Sequence, residues 1–356
     1  MTDKLKVLLA HNLVFDSSRL GPYSVEIDPT NNCPISCAYC IWSDMRQQQP
    51  ASLSEDVFRR LLDDLIRLKV AGVVFTGGGE PLHHPFTRTA IAIASEAGIK
   101  VGLFTSGSTL HSKVASEVLP HLAWIRFNLA ASDREMYKRV QGVDAFQRVV
   151  DNIHDCVNVR NEHRLSVKLG IGSVLTRTNS DVSFTHALTA LASRLGVDFI
   201  QFKHDLEEIG TAKYESWWAS KVVPELRAVQ MSAPPGIKIE FSEATYIDVP
   251  TAPCFIVKKM AAIKADGSVV LCKLHRDAPA MVVGNINERS FNDIWFDVKR
   301  QDILKDLEFN GCNSCCGYKE FNKHVMLTHG APVLVENPSA LYANDLKQFG
   351  DDINFL

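Results

Sequence analysis

Three cysteines stand close together near the start of the sequence, at positions 33, 37 and 40 in the segment NNCPISCAYC. A disulfide pairs two thiols and leaves the third without a partner, and a closed structural zinc site needs four ligands. Three thiolates suit an iron–sulfur cluster in which one iron keeps an open position for a small ligand. The spacing therefore predicts a cluster held by Cys33, Cys37 and Cys40, with a zinc knuckle or simply buried thiols as the alternatives.

A second group of cysteines lies in the last third of the chain and comprises Cys254, Cys272, Cys312, Cys315 and Cys316. Four thiolates can close either a zinc site or an iron–sulfur cluster, and spacing alone does not choose between them. We expect the first four to be the ligands and Cys316 to be a spare thiol or an alternate ligand to Cys315. Cys156 stands alone on a predicted buried helix face, where small thiols are usually inert.

Strands and helices alternate from residue 23 to about residue 205 and must position these groups. Such alternation with right-handed crossovers implies a parallel sheet covered by helices. Six βα units fit a partial (β/α)6 TIM-like barrel, because a complete barrel of eight units typically needs about 250 residues. The first cysteine motif, GGGEP (77–81) and TSG (105–107) follow the first three predicted strands, where barrels of this class gather their chemistry.

The order of these patterns predicts the domain organisation of this α/β chain. We expect an N-terminal extension at 1–20, the partial barrel at 21–235, a small β-hairpin/helix auxiliary iron–sulfur domain at 236–325 and a C-terminal tail at 326–356. Ser52 and Glu55 predict a capping box at the start of a barrel helix. Asp266-Gly267, flanked by apolar residues, predicts the tight turn of the auxiliary hairpin.

The first cysteine motif, with Tyr39 before its last cysteine, resembles the signature of the radical S-adenosylmethionine superfamily. GGGEP resembles the GGE motif of that superfamily. The resemblance implies that a [4Fe–4S] cluster binds the amino and carboxylate groups of S-adenosylmethionine beside Gly78, Gly79 and Glu80. The second cysteine group resembles the twitch domain, the shortened form of the SPASM extension, which implies one auxiliary [4Fe–4S] cluster.

The same resemblance suggests further contacts to S-adenosylmethionine, although it is weaker there. The segment Phe127–Gly142 resembles the family's fourth-strand region, but Asn128 replaces a serine and Ala130 an aspartate. Asn128 is expected at the ribose and Arg139 at the methionine carboxylate, with a solvated helix start as the alternative for Arg139. The complete set of expected cofactor contacts is Tyr39, Gly78, Gly79, Glu80, Ser106, Asn128, Arg139 and Ser173.

The activity that the resemblance implies is reductive cleavage of S-adenosylmethionine to a 5′-deoxyadenosyl radical, which abstracts hydrogen from the substrate. We expect dehydrogenation, epimerisation or decarboxylation of a small polar molecule of the sugar, aminocyclitol or nucleoside type, with Cys316 as a candidate hydrogen donor. Only 32 residues precede Cys33, few for a leader-binding domain. A peptide- or protein-modifying enzyme is the alternative, and a metal-binding scaffold is the non-enzymatic one.

Polar residues at predicted strand ends are candidates for binding the substrate: Arg126, Lys168, Gln201, Lys203, His204 and Asp205. For each of them, packing in the barrel interior is the alternative role.

Composition narrows the partners and the location of the chain. The net charge is −3 with no block of lysine or arginine, which disfavours a nucleic-acid partner. No apolar run approaches about 18 residues, so no membrane association is expected. Clustered cysteines suit a reducing cytoplasm, and an electron donor such as flavodoxin or ferredoxin would be needed.

Overall fold

The structure, a computed structural model, describes residues 21–48, 50–243, 254–272, 275–276 and 278–309. Its strands form one sheet in the order β10-β9-β8-β1-β2-β3-β4-β5-β6-β7. Strand β8 pairs in parallel with β1, and each later neighbour from β1 to β7 is also parallel. Strand β9 pairs antiparallel with β8 on one side and with β10 on the other. The strands are β1 (Ser24–Ile27), β2 (Gly72–Phe75), β3 (Lys100–Thr105), β4 (Trp124–Asn128), β5 (Lys168–Val174), β6 (Phe199–Lys203), β7 (Lys238–Glu240), β8 (Met260–Ile263), β9 (Ser268–Val270) and β10 (Val282–Asn285).

Helices connect successive parallel strands, as the sequence predicts. They are α1 (Ser43–Gln48), α2 (Glu55–Arg67), α3 (Thr87–Glu96), α4 (Ser112–Val118), α5 (Arg134–Gln141), α6 (Phe146–Glu162), α7 (Val182–Leu195), α8 (Ala212–Trp217), α9 (Val223–Met231), α10 (Phe291–Trp295) and α11 (Val298–Phe309). Side chains of β1–β6 that face the helices form one apolar core with them, and Val25, Phe75 and Ile125 at its centre are fully buried. The predicted α/β fold with six βα units is confirmed.

The predicted capping box at the start of α2 is wrong. Ser54 is the N-cap, and its hydroxyl accepts a hydrogen bond from the backbone N–H of Val57 at 3.4 Å. The hydroxyl of Ser52 is instead 2.5 Å from that of Thr30, in an isolated β-bridge between these two residues. Ser52 therefore fastens the segment after β1 to the segment before α2, which leaves capping to Ser54.

The predicted hairpin is confirmed, and it joins the barrel sheet. Gly267 takes a φ of 84° in the turn between β8 and β9, a conformation that glycine adopts without strain. Strand β8 pairs in parallel with β1 from Ser24↔Met260 to Ile27↔Ile263. The auxiliary region thus continues the barrel sheet along the edge of β1. No helix in the described part of the chain is long and apolar enough to cross a bilayer.

Candidate active site

A cavity of about 280 Å³ lies at the carboxyl ends of the parallel strands. It is lined by Cys33, Cys37 and Cys40 after β1, Gly77–Pro81 after β2, Phe104–Ser106 on and after β3, Arg126 and Asn128 on β4, Gly172 and Val174 on β5, and Lys203 on β6. One cavity touches the ends of six successive strands, so the sheet must curl around it as a partial barrel does. The two sequence motifs therefore meet at one site.

The segment that carries the three cysteines, called here the cluster loop (residues 31–42), is held by the end of α5. The backbone N–H groups of Ser36 and Ala38 donate to the carbonyls of Gln141 and Val140, at 3.1 and 2.9 Å. The buried side chain of Gln141 also accepts from the Ala130 N–H at 3.0 Å and donates to the Asn128 carbonyl at 3.1 Å. Gln141 thus ties the cluster loop to the end of β4. Sequence reasoning missed it, although it lies within the segment that resembles the family.

The three thiols do not surround a single ion position in the described structure. No group of three or more histidine, cysteine or carboxylate side chains in the described ranges converges on one ion position, as tetrahedral zinc would require. In an iron–sulfur cluster each thiolate binds a different iron, so the sulfurs lie farther apart. Burial raises the pKa of the Cys37 thiol to about 12 and also raises that of Cys33. Such thiols become thiolates by binding a cation, which here would be iron.

Tyr39 and Asn128 form a bridge across the mouth of the barrel. The Tyr39 hydroxyl donates to Asn128 Oδ1 at 3.1 Å, and Asn128 Nδ2 lies 3.9 Å from Cys37 Sγ. Both residues line the cavity, as expected of cofactor contacts. Their mutual hydrogen bond gives them a second role, because it fixes the cluster loop against β4.

Glu80 is enclosed by donors from its own chain. Its carboxylate accepts hydrogen bonds from the Thr105 hydroxyl and the Ser106 N–H, both at 2.7 Å, and from the Leu82 N–H at 3.3 Å. Its side chain is buried, and its own N–H donates to the Asn32 carbonyl at 2.8 Å. Glu80 therefore joins the glycine loop (Gly77–Pro81) to β3 and to the cluster loop. This leaves the backbone carbonyls of the glycine loop as better acceptors for a ligand ammonium.

Gly79 permits the close approach of the glycine loop to the cluster loop. A Cβ atom at this position would lie 2.3 Å from the Asn32 carbonyl oxygen and 2.6 Å from that of Thr30. Both neighbours are backbone atoms, so neither can move aside cheaply. A side chain is thus excluded by the contact between the two loops that carry the motifs.

The auxiliary region reaches the cavity rim through Arg276, which is 3% exposed. Its guanidinium pairs with Asp28 at the end of β1, lies 3.7 Å from Glu26 and stacks on the ring of Trp42 at 4.7 Å. Burial raises the pKa of Asp28 to about 6, while Arg276 and the N–H of Gly78 act in the opposite direction. Arg276 follows Cys272 closely, so it links a predicted auxiliary ligand to the first cluster loop.

The cavity wall away from the two loops, called here the far side, is formed by Phe104, Arg126 and Lys203. The Arg126 guanidinium lies 3.7 Å from the centre of the Phe104 ring, and the Lys203 ammonium lies 5.8 Å from the same centre. Arg126 donates to the side-chain oxygen of Gln201. Gly172 makes room for this arrangement, since a Cβ there would meet Arg126 Nε at 3.0 Å.

The remaining expected cofactor contacts divide into one that lines the cavity and two that do not. Ser106 lines it and shares a hydrogen bond of 2.9 Å with the Ser108 hydroxyl. Arg139 is exposed on α5, away from the cavity lining. Ser173 is buried on β5 between Gly172 and Val174, which line the cavity, and alternate residues of a strand face opposite sides. The structure thus separates Arg139 and Ser173 from the site.

The other candidate substrate residues from the sequence are more dispersed. Gln201 accepts a hydrogen bond from Arg126 but does not line the cavity. His204 stacks on Trp218 at 3.6 Å, and neither His204 nor Asp205 lines the cavity. The N–H of Asp205 is bound by the Tyr214 hydroxyl at 2.8 Å. Lys168 begins β5, at the opposite end of the strand from the cavity.

Two of the predicted auxiliary ligands are described. Cys254 precedes β8, and its N–H lies 3.5 Å from the carbonyl of Leu307 near the end of α11. Cys272 follows β9. The end of helix α11 therefore lies beside Cys254. Cys312, Cys315 and Cys316 lie outside the described residues, as do the predicted extension at 1–20 and tail at 326–356.

Models of known protein families match both the barrel region and the auxiliary region. The family model of the radical SAM superfamily matches residues 27–184, and that of the SPASM iron–sulfur cluster-binding domain matches residues 254–316. The two matches cover the two cysteine groups and the glycine loop. The resemblance read from the motifs is confirmed for both regions.

Three relatives illustrate the range of similar proteins. The chain is 26% identical over 197 residues to dTDP-4-amino-4,6-dideoxy-D-glucose ammonia-lyase from Streptomyces venezuelae, which covers 54% of this chain and 38% of the lyase. It is 22% identical over 304 residues to PqqA peptide cyclase from Gluconobacter oxydans, covering 83% of this chain and 82% of the cyclase. The crystal structure of Streptococcus suis SuiB bound to precursor peptide SuiA shares the fold, with a TM-score of 0.63, 17% identity and coverage of 84% and 72%.

Proposed function

Since the chain is a radical S-adenosylmethionine enzyme with an auxiliary iron–sulfur cluster-binding domain of the SPASM type, we propose that it modifies a peptide substrate. The observation that carries this proposal is the extent of the match to PqqA peptide cyclase, which spans 83% of this chain and 82% of the relative. The match to the sugar ammonia-lyase spans only 38% of that relative. A peptide therefore replaces the small molecule favoured by the sequence.

The residues at the cavity have distinct tasks in this function. When bound, the first cluster would supply an electron for reductive cleavage of S-adenosylmethionine, and hydrogen abstraction from the substrate would follow. Cys33, Cys37 and Cys40 would hold that cluster, and the glycine loop would receive the methionine end of the cofactor. The barrel wall positions the substrate and excludes water.

The auxiliary cluster completes the proposed arrangement. Cys254, Cys272, Cys312 and Cys315 are proposed to hold it, and Cys316 is proposed as a spare thiol beside it. A cluster near the substrate can accept an electron from the substrate radical, which favours an oxidative outcome, whereas a thiol at Cys316 would return hydrogen. Cytoplasmic location and an electron donor such as flavodoxin or ferredoxin belong to the same proposal.

A fractionated extract of the encoding organism tests the nature of the substrate. Reduced holoenzyme is incubated with S-adenosylmethionine and extract fractions, and 5′-deoxyadenosine formation is measured with and without prior protease treatment of the fraction. A peptide substrate predicts stimulation that protease abolishes. Stimulation that survives protease would overturn the peptide proposal in favour of the small-molecule one.

A small polar substrate is the second candidate. The match to the sugar ammonia-lyase supports the same candidate. In the extract experiment, this candidate predicts activity that protease does not remove.

A further inference from the structure

The auxiliary region places one buried cation next to the loops that carry the two sequence motifs. Arg276 is 3% exposed and lies outside the cavity lining. Its guanidinium pairs with the carboxylate of Asp28, which is also buried, and lies 3.7 Å from that of Glu26. Residues two apart on a strand face the same side, so both carboxylates turn toward Arg276. Arg276 is therefore held at the carboxyl end of β1.

Asp28 connects this cation to the glycine loop. A Cβ atom on Gly77 would lie 3.2 Å from Asp28 Cβ and 3.3 Å from Asp28 Cγ, so the glycine loop begins in direct contact with the Asp28 side chain. The N–H of Gly78 also acts on the Asp28 carboxylate and lowers its pKa. The N–H of Asp28 donates to the carbonyl of Ile263 on β8 at 2.8 Å. The auxiliary region thus holds Asp28 by its main chain and by its side chain.

Trp42 connects the same cation to the cluster loop. The Arg276 guanidinium lies 4.7 Å from the centre of the Trp42 ring, within the range of a cation–π contact. Trp42 lines the cavity and stands two residues after Cys40. A planar guanidinium can pair with a carboxylate along its edge while its face covers an aromatic ring. One side chain therefore contacts both the cluster loop and the residue on which the glycine loop packs.

We propose that Arg276 is a positioning residue for S-adenosylmethionine, through which the auxiliary region sets the spacing of the glycine loop and the cluster loop. This role rests on the proposed function, because it takes these two loops as the cofactor site. Arg276 acts through Asp28 on the loop that would receive the methionine end of the cofactor. It acts through Trp42 on the loop that would hold the cluster. A buried ion pair is often no more stabilising than well-packed apolar residues, which favours a role in geometry.

Isothermal titration of S-adenosylmethionine into the reconstituted enzyme tests this role. No reductant is present, so the cofactor binds without being cleaved, and the temperature is kept well below the melting temperature of each variant. The control is Arg289→Gln, since Arg289 belongs to the same region, pairs with Asp297 and lies outside the cavity lining. We expect the control to bind as the wild type does and Arg276→Gln to bind about tenfold more weakly. The titration reports affinity separately from the fraction of loaded sites, so incomplete cluster loading does not imitate this loss.

A double variant separates positioning from a purely structural ion pair. Arg276→Gln leaves the buried carboxylate of Asp28 without its guanidinium partner, so the melting temperature should fall. Adding Asp28→Asn removes that buried charge and should restore part of the melting temperature. The double variant should still bind S-adenosylmethionine about tenfold more weakly than the wild type, because Trp42 and the glycine loop remain without the guanidinium. A purely structural role predicts instead that affinity recovers together with stability.

The outcomes distinguish failure of this inference from failure of the proposed function. Equal affinity of the wild type and Arg276→Gln would overturn the positioning role alone, as would full recovery of affinity in the double variant. A wild type that holds its clusters and binds no S-adenosylmethionine would overturn the proposed function as well. Arg276→Lys keeps the charge but lacks the planar pair of donors, so its affinity should fall between those of the wild type and Arg276→Gln. If Arg276→Gln does not fold, wild-type affinity in Arg276→Lys would overturn the positioning role.

Discussion

The two sides of the cavity are built differently. On the side of the cluster loop and the glycine loop, backbone and side-chain groups bind one another: Glu80 accepts three hydrogen bonds, and Gln141 joins two segments. On the far side, Arg126 and Lys203 stand over one aromatic ring beside a neutral amide. The first side is thus held together by internal hydrogen bonds, whereas the second brings two cations over one aromatic ring.

The largest expected effect tests whether the cofactor side depends on its thiols. Reconstituted wild type should hold about eight irons per chain from two four-iron clusters. Changing Cys33, Cys37 and Cys40 together to Ala should halve the iron and abolish cleavage of S-adenosylmethionine. Cys156→Ala, a buried thiol on α6, is the control and should keep all of the iron. A wild type with about four irons and stoichiometric zinc would contradict the auxiliary cluster.

Gly79→Ala tests how closely the cluster loop and the glycine loop are packed on the cofactor side. Gly79→Ala places a methyl group 2.3 Å from a backbone oxygen, so the two loops must separate. We expect a loss of about 3 kcal/mol or more in stability, together with weaker cofactor binding. Thermal unfolding and cofactor titration measure both. An unchanged melting temperature would show that the loops are not held as closely as described.

Glu80→Ala should lower both stability and cofactor affinity. The sequence suggests a residue that acts mainly on the cofactor, but the structure shows a buried carboxylate with three internal donors. Leaving those donors without an acceptor costs about 1–3 kcal/mol. Glu80→Gln keeps one acceptor oxygen and should lose less. A loss of cofactor affinity with an unchanged melting temperature would show instead that Glu80 acts directly on the cofactor.

His204 provides a pH-dependent test behind the far side. Burial lowers its pKa from 6.5 to about 4, so its contribution to stability is present above pH 6.5 and is lost as the pH falls toward 4. At pH 5.5 the loss is about 1 kcal/mol. The melting temperature of His204→Gln should therefore fall less between pH 7.5 and 5.5 than that of the wild type. His154→Gln, at an exposed position of α6, should behave as the wild type does.

The smallest effect is expected at Gly172 on the far side. A methyl group there would lie 3.0 Å from Nε and 3.1 Å from Cδ of Arg126, and this side chain can shift. Gly172→Ala should cost about 1 kcal/mol or less in stability, measured by thermal unfolding. A destabilisation as large as that of Gly79→Ala would remove the contrast between the two sides.

Sequence patterns predicted the site where residue type and spacing carry the information. The cysteine spacing and GGGEP located both loops, and the alternation of strands and helices placed them at the same edge of one sheet. The orientation of Ser173 was beyond this reasoning, because β5 is buried on both faces and lacks the polar alternation that reveals which side a residue faces. The exposed position of Arg139 was beyond it for a related reason, since a short charged helix does not show which cation turns inward.

Long-range pairings were also beyond the sequence. The ion pair of Arg276 with Asp28 joins residues 248 positions apart, and neither residue lies in a recognisable motif. Gln141 acts through backbone carbonyls and an amide side chain, which leave no spacing signature. Such contacts follow from the packing of complete elements, so they appear only once the fold is assembled.

The parallel pairing of β8 with β1 has a consequence for biosynthesis. Without β8, β1 would be an edge strand of the described sheet, and its exposed N–H and C=O groups would be a template for pairing with other chains. During translation that edge stays open until the segment around Ile263 has been made, long after the cluster loop has left the ribosome. The auxiliary hairpin closes that edge only once it has been made, and we expect a mutation that weakens its pairing to reduce yield before it affects chemistry.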